Sequence, residues 1–181
     1  MRDISESIRE AWLFAGQAHQ LQLYHSDLGN ISYLAHLGIV ASLARTAAAT
    51  DRTGDPELSE IVGILHDCVE DCDVELAQIE ERFGEQAALC VGALSKNPAL
   101  RGRQASDEAV ARIAKAPREA AIVKLADRIC NIGGRPNPKW TAWKIADYTE
   151  ESRHILQVLH AASPSLSRKL EERIHVWEGF A

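Results

Sequence analysis

Apolar residues recur every three or four positions through most of this chain of 181 residues, which is the spacing of helices with one buried face. The stretch 33–49 shows it clearly, because apolar side chains share one face at Leu34, Leu37, Val40, Ala41 and Ala44. The sequence shows neither a convincing period-two alternation of half-buried strands nor the residue pairs typical of hairpin turns. The pattern therefore predicts an all-α fold without strands or hairpins.

Capping residues predict where several of these helices begin and end. The segment Asp55-Pro56-Glu57 combines an N-cap, a proline at the first helical position and an acid in the first turn. Asp73 is predicted to cap a helix that ends at Gly84, and Ser106 to cap another after an irregular stretch at 96–104. Further helices are predicted near residues 7–15, 86–94, 117–129, 140–159 and 165–177.

Composition and charge argue against several kinds of protein. The chain carries 20 Lys+Arg and 26 Asp+Glu, a formal net charge of −6, which disfavours a binder of nucleic-acid polymers because such a binder needs a basic face. No run approaches the roughly 18 apolar residues of a membrane span. The four cysteines form no CxxC pair, which indicates reduced thiols in a cytoplasmic protein. We expect one domain over residues 1–181, since domains typically have about 100–200 residues.

Charge is divided unevenly along the chain. From Asp55 to Cys90 there are eleven acidic residues and one basic residue, and from Lys96 to Lys144 there are eleven basic and four acidic residues. Two solvated helix faces would explain such blocks. A segment that gathers a metal ion, followed by a segment that gathers anions, would explain them as well.

The pair His66-Asp67 is the sharpest chemical feature of the sequence. It stands at the end of an apolar helix and is followed by Glu70 and Asp71, each four residues after one member of the pair. If the helix continues, each carboxylate shares a face with the residue one turn before it. An imidazole with carboxylates suits a hard or borderline divalent cation such as Mn²⁺. A histidine and an aspartate that cap a helix end are the simpler interpretation of this pair alone.

Two further polar residues on apolar helices favour the metal interpretation. His36 interrupts the apolar segment 33–40, where a lone histidine is more often a core residue than a ligand. Asp127 lies inside the apolar segment 122–131, and burying an aspartate is costly unless it is paired or bound to metal. Asn131 follows Asp127 by one helical turn. Together these residues place potential ligands on three helices.

These residues, in this order, carry a resemblance to a known family. The order His36, His66-Asp67 and Asp127 is that of the HD-domain phosphohydrolases. The segments HDCVEDCDVELAQIEERFG and VKLADRICNI resemble the hydrolase half of RelA/SpoT proteins, the single-domain metazoan SpoT homologues and bacterial small alarmone hydrolases. The resemblance extends over residues 12–159 and implies an HD-type bundle of about eight to ten helices.

The resemblance implies a reaction and roles for individual residues. Removal of pyrophosphate from the 3′ position of guanosine tetra- or pentaphosphate, or of an adenosine analogue, is the implied reaction. Glu70 and Asp71 would orient and deprotonate the attacking water, and Asn131 would contact the ribose. A single Mn²⁺ would be held by His36, His66, Asp67 and Asp127.

The phosphates of such a nucleotide need cations. Lys144 and Tyr148 share a helix face and stand where relatives place a basic residue and a tyrosine against phosphate. Lys96 and Lys124 are further candidates from the basic segment, although solvated surface roles would account for these two lysines equally well. The implied partner is therefore a small nucleotide, and the oligomeric state stays open.

The segment before His36 departs from the family pattern. Relatives carry an Arg-Lys pair there, for the base and a phosphate, whereas this chain has Tyr24-His25. Tyr24 could stack on a base, and His25 could partly replace the lysine, but ordinary surface residues would explain both. This change motivates an alternative, an HD phosphatase acting on NADPH or another nucleotide. A further alternative is a non-catalytic module that binds a nucleotide and regulates a partner.

Overall fold

The predicted apolar stripes form helices that pack around a shared hydrophobic core in the computed structural model, which describes residues 5–26 and 29–181. The prediction of an all-α class is confirmed. None of the helices in the described ranges combines the length and hydropathy that a membrane crossing requires. The helices are α1 Glu6–Ala18, α2 Leu34–Asp51, α3 Pro56–Leu65, α4 Cys68–Asp71, α5 Leu76–Phe83, α6 Glu85–Leu94, α7 Gly102–Ile113, α8 Arg118–Asn131, α9 Ala142–Leu159 and α10 Pro164–Glu178, with a 3₁₀ turn at His160–Ala162.

Helices α2, α3 and α8 form the centre of the fold. The backbones of α2 and α3 approach so closely that a Cβ atom at Gly63 would lie 2.7 Å from the Cα atom of Ala41. Helix α8 is enclosed on nearly every side, because residues 119–123 and 125–130 are all buried. Ligand-type side chains on these helices are therefore held by the packing of the core itself.

The prediction that the chain has no strand or hairpin was wrong. Strands β1 (Leu23–Ser26) and β2 (Gly29–Ser32) pair antiparallel between α1 and α2, with Leu23 opposite Ser32 and Tyr24 opposite Ile31. Each strand has four residues, and every residue of β2 is exposed. Strands this short and exposed need no alternation of apolar and polar residues, so the usual signal is missing.

Some helix boundaries confirm the capping predictions. The Asp55 side chain accepts hydrogen bonds from the backbone N–H groups of Glu57 and Leu58, at 2.8 Å and 3.2 Å, and Pro56 opens α3. Gly84 ends α5 with a φ of +85°, a value that favours glycine. The N-cap of α5 is Glu75 rather than Asp73, because Glu75 and Gln78 form a reciprocal capping box.

The predicted N-cap of α7 was wrong by five residues, because the helix is capped at Arg101 and not at Ser106. The helix begins at Gly102, and the buried Ser106 lies inside it. Its hydroxyl donates a 2.6 Å hydrogen bond to Glu151 on α9 instead of capping its own helix. A serine can cap a helix or bond to a neighbouring one, and the sequence does not reveal which partner it finds.

Candidate active site

Helices α2, α3 and α8 bring together the four residues that the sequence predicts as metal ligands. His36 lies on α2, His66 and Asp67 follow α3, and Asp127 lies on α8. The Nε2 atoms of the two histidines are 3.3 Å apart, and Nε2 of His36 is 3.6 Å from Asp67 and 3.5 Å from Asp127. Nε2 of His66 is 3.0 Å from Asp67 and 4.0 Å from Asp127. Both histidines are almost completely buried.

Hydrogen bonds from outside the cluster fix the orientation of its members. Nδ1 of His66 lies 2.8 Å from the backbone oxygen of Gly63, so this nitrogen carries a proton and Nε2 faces the cluster. The hydroxyl of Tyr33 donates to Oδ2 of Asp67 at 2.6 Å.

Asp127 is held by two donors from its own helix. The side-chain amide of Asn131 donates to Oδ1 at 2.6 Å, and the ammonium of Lys124 donates to Oδ2 at 3.0 Å. Asn131 and Lys124, both predicted to contact the nucleotide, thus lie directly against the predicted ligand set.

The cluster strongly favours the ionised forms of its carboxylates. Burial opposes ionisation, but the charges of Lys124 and the two histidines lower the pKa of Asp127 to about 2. Burial likewise opposes charge on His36, yet hydrogen bonding to Asp67 raises the pKa of that imidazole to about 10. In the absence of a metal ion, protons on the histidines therefore balance the two carboxylates. A bound divalent cation would replace these protons and balance the same negative charge.

The donor set fits a divalent metal ion. One ligand atom from each of His36, His66 and Asp67 lies within 4.8 Å of the others, and Oδ1 of Asp127 borders the same space. Imidazole and carboxylate ligands suit borderline and hard divalent cations. The residues thus define a candidate metal centre at the point where three core helices meet.

Helix α3 does not continue unbroken through His66-Asp67. Helix α3 ends at Leu65, and α4 resumes at Cys68 after Asp67 adopts φ −102° and ψ −2°. The backbone N–H of Asp71 still bonds the oxygen of Asp67 at 2.9 Å, so one helical turn connects the metal cluster to the exposed pair Glu70 and Asp71.

Both members of that exposed pair already have hydrogen-bond partners. Oδ2 of Asp71 accepts from the side-chain amide of Gln22 at 2.8 Å. Glu70 accepts from Lys96 twice, from its ammonium at 2.7 Å and from its backbone N–H at 2.9 Å. Each predicted catalytic carboxylate is therefore oriented by a residue distant in the sequence.

A cavity of about 880 Å³ opens over the candidate metal centre and is lined by residues of both charged segments. Lys144 and Tyr148 are among its lining residues, and the Lys144 ammonium lies 5.4 Å from the Trp140 ring centroid. The cavity is large enough for a nucleotide, since ligand pockets are typically about 300–1,000 Å³. The basic residues that line it are Lys96, Arg101, Arg103, Lys124, Arg128 and Lys144.

Tyr24 and His25 do not line this cavity. The Tyr24 ring packs at 5.2 Å against the ring of His36, and its hydroxyl donates to the backbone oxygen of Cys130 at 3.4 Å. His25 is exposed and bonds Asn30 across the hairpin at 2.6 Å. Their predicted contact with a base stays a prediction, and the structure gives both residues local packing partners.

The sequence did not reveal several residues that support the site. Tyr33, Gln22 and His19 form one network, because His19 bonds Gln22 at 2.6 Å and stacks on the ring of Tyr33 at 5.0 Å. The sequence alone gave His19 no partner. Tyr33 precedes His36 by nearly one helical turn, and this spacing was the one available signal.

An ion pair in the lining of the cavity was also missed. The buried guanidinium of Arg128 lies 2.9 Å from a carboxylate oxygen of Glu151 and 4.1 Å from the centre of the Tyr148 ring. The pair connects α8 to α9 and fixes the ring that was predicted to face phosphate.

Comparisons with known proteins agree with this geometry. The sequence profile of the HD domain matches residues 11–162. A Danio rerio protein named guanosine-3′,5′-bis(diphosphate) 3′-pyrophosphohydrolase MESH1 is 26% identical over 165 residues, which is 88% of this chain and 87% of the relative. The Homo sapiens protein of that name is 27% identical over 169 residues, covering 91% and 89%. A solved structure described as a metazoan orthologue of SpoT that hydrolyses ppGpp covers 100% of both chains, with a TM-score of 0.84 and 23% identity, and shows the same fold.

Proposed function

The chain belongs to the HD domain family, and from this we propose that it is a metal-dependent hydrolase that removes the 3′-pyrophosphate from guanosine tetra- or pentaphosphate, or from the adenosine analogue. The observation that carries the proposal is the cluster of two histidines and two aspartates beneath a cavity lined with basic residues. The names of the Danio rerio and Homo sapiens relatives support the same reaction.

We assign the metal position to the buried cluster and propose Mn²⁺ as its ion. When bound, a divalent ion acidifies a water molecule and neutralises charge on a phosphoryl oxygen. The protein contributes the orientation of the ligands, through Tyr33 on Asp67 and through Asn131 and Lys124 on Asp127. The proposed ligands are His36, His66, Asp67 and Asp127.

Glu70 and Asp71 are proposed to orient the attacking water and to accept its proton. They follow the metal cluster by one helical turn, and both face the cavity. A carboxylate within hydrogen-bond reach of a water can act as its general base. Their hydrogen-bond partners, Gln22 and Lys96, lie outside the cluster, so we assign both carboxylates to the attacking water rather than to the ion.

The basic residues of the cavity are proposed to bind the phosphates. Arg128 is paired with Glu151 and Lys124 with Asp127, so these two are already committed within the protein. Lys144 contacts the Trp140 ring, and in the described part of the chain it has no carboxylate partner within salt-bridge distance. It is therefore the cation best placed to receive a phosphate, with Tyr148 one turn away. Asn131 is proposed to contact the ribose.

The test is a panel of nucleotides assayed with Mn²⁺ and scored by product. We expect pyrophosphate release from guanosine tetraphosphate or its adenosine analogue, and none from the Asp67→Ala variant. Replacement of Mn²⁺ by Mg²⁺ or Zn²⁺ in the same assay tests the choice of metal. Absence of turnover with every guanine and adenine alarmone contradicts the proposal and favours a non-catalytic nucleotide-binding module.

One observation favours a second candidate, a phosphatase acting on NADPH or another nucleotide. Tyr24 and His25 replace the Arg-Lys pair of relatives and lie outside the cavity lining, so the contacts expected to read guanine are changed. Release of inorganic phosphate instead of pyrophosphate in the same panel distinguishes this activity. A cytoplasmic location stays a prediction from the cysteine pattern.

A further inference from the structure

Lys96 binds one of the proposed catalytic carboxylates with both its side chain and its backbone. It follows α6 by two residues, and its ammonium lies 2.7 Å from Oε1 of Glu70. Its backbone N–H lies 2.9 Å from Oε2 of the same carboxylate. Each oxygen of Glu70 therefore accepts a hydrogen bond from this one residue.

The side chain of Lys96 is also exposed to the cavity that is proposed to receive phosphates. Half of its side-chain surface is accessible, and it lines the same cavity as Asp67 and Asp127. Burial opposes the charge on Lys96, but the hydrogen bond and charge of Glu70, with smaller contributions from Asp127 and Asp67, raise its pKa. The ammonium is thus charged and has two kinds of possible partner, a carboxylate and a phosphate.

We propose that Lys96 is a substrate-operated latch on Glu70. In the free protein the ammonium of Lys96 occupies Oε1 of Glu70, and a bound phosphate group draws that ammonium away. The backbone N–H keeps its bond to Oε2 and preserves the orientation of the carboxylate. Oε1 is then free to accept a proton from water. The inference rests on the proposed function for the role of Glu70.

The chemistry of lysine suits such an exchange. Its ammonium is a compact charge on a flexible stem, and it can change partner without a change in the backbone. A polyphosphate carries more negative charge than one carboxylate, so it competes well for the ammonium. Arginine would hold the carboxylate in a more rigid, two-point contact.

The other cavity cations are less suited to this role. Lys124 and Arg128 are mostly buried and are paired with Asp127 and Glu151, which do not carry the proposed proton transfer. Lys96 is the cation whose carboxylate partner is itself proposed to react. The latch therefore couples arrival of the phosphates to release of the general base.

A double-mutant cycle on thermal stability tests the latch without requiring turnover. Wild type, Lys96→Met, Glu70→Gln and the double variant are unfolded with Mn²⁺, first without and then with saturating pyrophosphate. Without pyrophosphate we expect the change in Tm of the double variant to differ from the sum of the two single changes by about 1–2 °C, the size expected of a partly exposed ion pair. With pyrophosphate we expect the coupling to vanish. Lys115→Met, at an exposed position outside the cavity lining, is the matched control.

Kinetics give a second, independent readout on whichever nucleotide the wild type hydrolyses. We expect Lys96→Arg to keep KM within about threefold but to lower kcat, because the guanidinium holds Glu70 more firmly. Lys96→Met should raise KM by about tenfold, with a smaller loss of kcat than the arginine variant, because one phosphate contact is lost.

Several outcomes overturn the latch. One is a coupling between Lys96 and Glu70 that stays the same when pyrophosphate is added. Another is a pyrophosphate-induced rise in Tm that is equal in wild type and Lys96→Met. The third is a larger loss of kcat in Lys96→Met than in Lys96→Arg. The thermal cycle uses pyrophosphate and no alarmone, so it tests the latch even if no alarmone is hydrolysed. The nucleotide panel tests the proposed function.

Discussion

The hydroxyl of Tyr33 donates a 2.6 Å hydrogen bond to Oδ2 of Asp67, the same oxygen that lies 3.0 Å from Nε2 of His66. Burial and the charge of Asp67 raise the pKa of Tyr33, so the phenol stays protonated and acts as a donor. Asp67, a candidate metal ligand, is therefore oriented by Tyr33, which is not one of the proposed ligands. Hydrogen bonds that orient metal ligands in this way commonly have a large effect on metal affinity or activity.

Tyr33→Phe removes this hydrogen bond and keeps the ring. We expect the affinity for Mn²⁺ to fall by about 10–100-fold, the usual cost of losing a hydrogen bond to a metal ligand. Titration calorimetry on metal-depleted protein measures it. Tyr24→Phe is the matched control, because its hydroxyl bonds a backbone oxygen and no proposed ligand. Equal affinities in the two variants would show that the Tyr33 hydroxyl does not orient Asp67.

Asp67→Ala should abolish both metal binding and hydrolysis. The substitution removes a carboxylate that contacts both histidines of the cluster. Elemental analysis of the purified protein and the nucleotide assay provide the two measurements. Asp73→Ala, an exposed acid in the same segment, should leave both unchanged. A fully metallated Asp67→Ala protein would remove Asp67 from the ligand set.

Glu70→Ala should retain the metal ion but lose most turnover. General-base contributions are typically about 10²–10⁴-fold, so kcat should fall within that range. Glu81→Ala, at another exposed acid, is the control. Loss of metal in Glu70→Ala would instead make Glu70 a ligand, and its proposed role as proton acceptor would then be wrong.

The stability of the metal-depleted protein should fall as the pH rises above neutrality. Despite burial, hydrogen bonding to Asp67 raises the pKa of His36 from 6.5 to about 10. A pKa raised by folding stabilises the folded state below pH 6.5, and this contribution is lost as the pH rises towards 10. Thermal unfolding in EDTA between pH 6 and 10 measures the loss.

Metal binding should show the opposite trend across that pH range. Mn²⁺ competes with the protons on the histidines, so its affinity should increase with pH. His36→Gln should flatten the pH dependence of metal-free stability, whereas His160→Gln, at an exposed position, should not. An unchanged slope in His36→Gln would show that this imidazole is not the group that titrates.

Removing one partner of the Arg128–Glu151 pair should destabilise the protein. Arg128→Met leaves the carboxylate of Glu151 without its buried partner, and breaking a buried pair typically costs about 3–5 kcal/mol. Urea unfolding gives the change in the free energy of unfolding. The double variant Arg128→Met/Glu151→Met should recover much of the loss, because no unpaired charge remains. Equal losses in the single and double variants would contradict this account.

The four proposed ligands stand out in the sequence because each breaks an apolar pattern where it stands. Asp127 is an acid on a helix that is otherwise buried, and His66-Asp67 ends an apolar helix, so the cost of burying them was visible locally. The resemblance to a family then ordered them into one site. The hairpin escaped because its strands are short and exposed, which removes the alternation on which strand prediction depends.

The residues that orient the site were not predictable for a different reason. Lys96 and Glu70 are 26 positions apart, and Gln22 and Asp71 are 49 positions apart. Polar residues on a surface have many possible partners, and only the folded chain brings these pairs together. Sequence patterns report which face of an element is buried, but not which polar groups meet across elements.

The contact of Gly63 with Ala41 has a consequence for the chemistry as well as for the core. Gly63 allows the backbone of α3 to lie against α2 at Ala41, and its backbone oxygen also holds Nδ1 of His66. One residue without a side chain thereby contributes both to the spacing of α2 from α3 and to the rotation of the imidazole that follows α3. The separation of the proposed ligands His36 and His66 therefore depends on a backbone contact between helices, just before His66 in the chain.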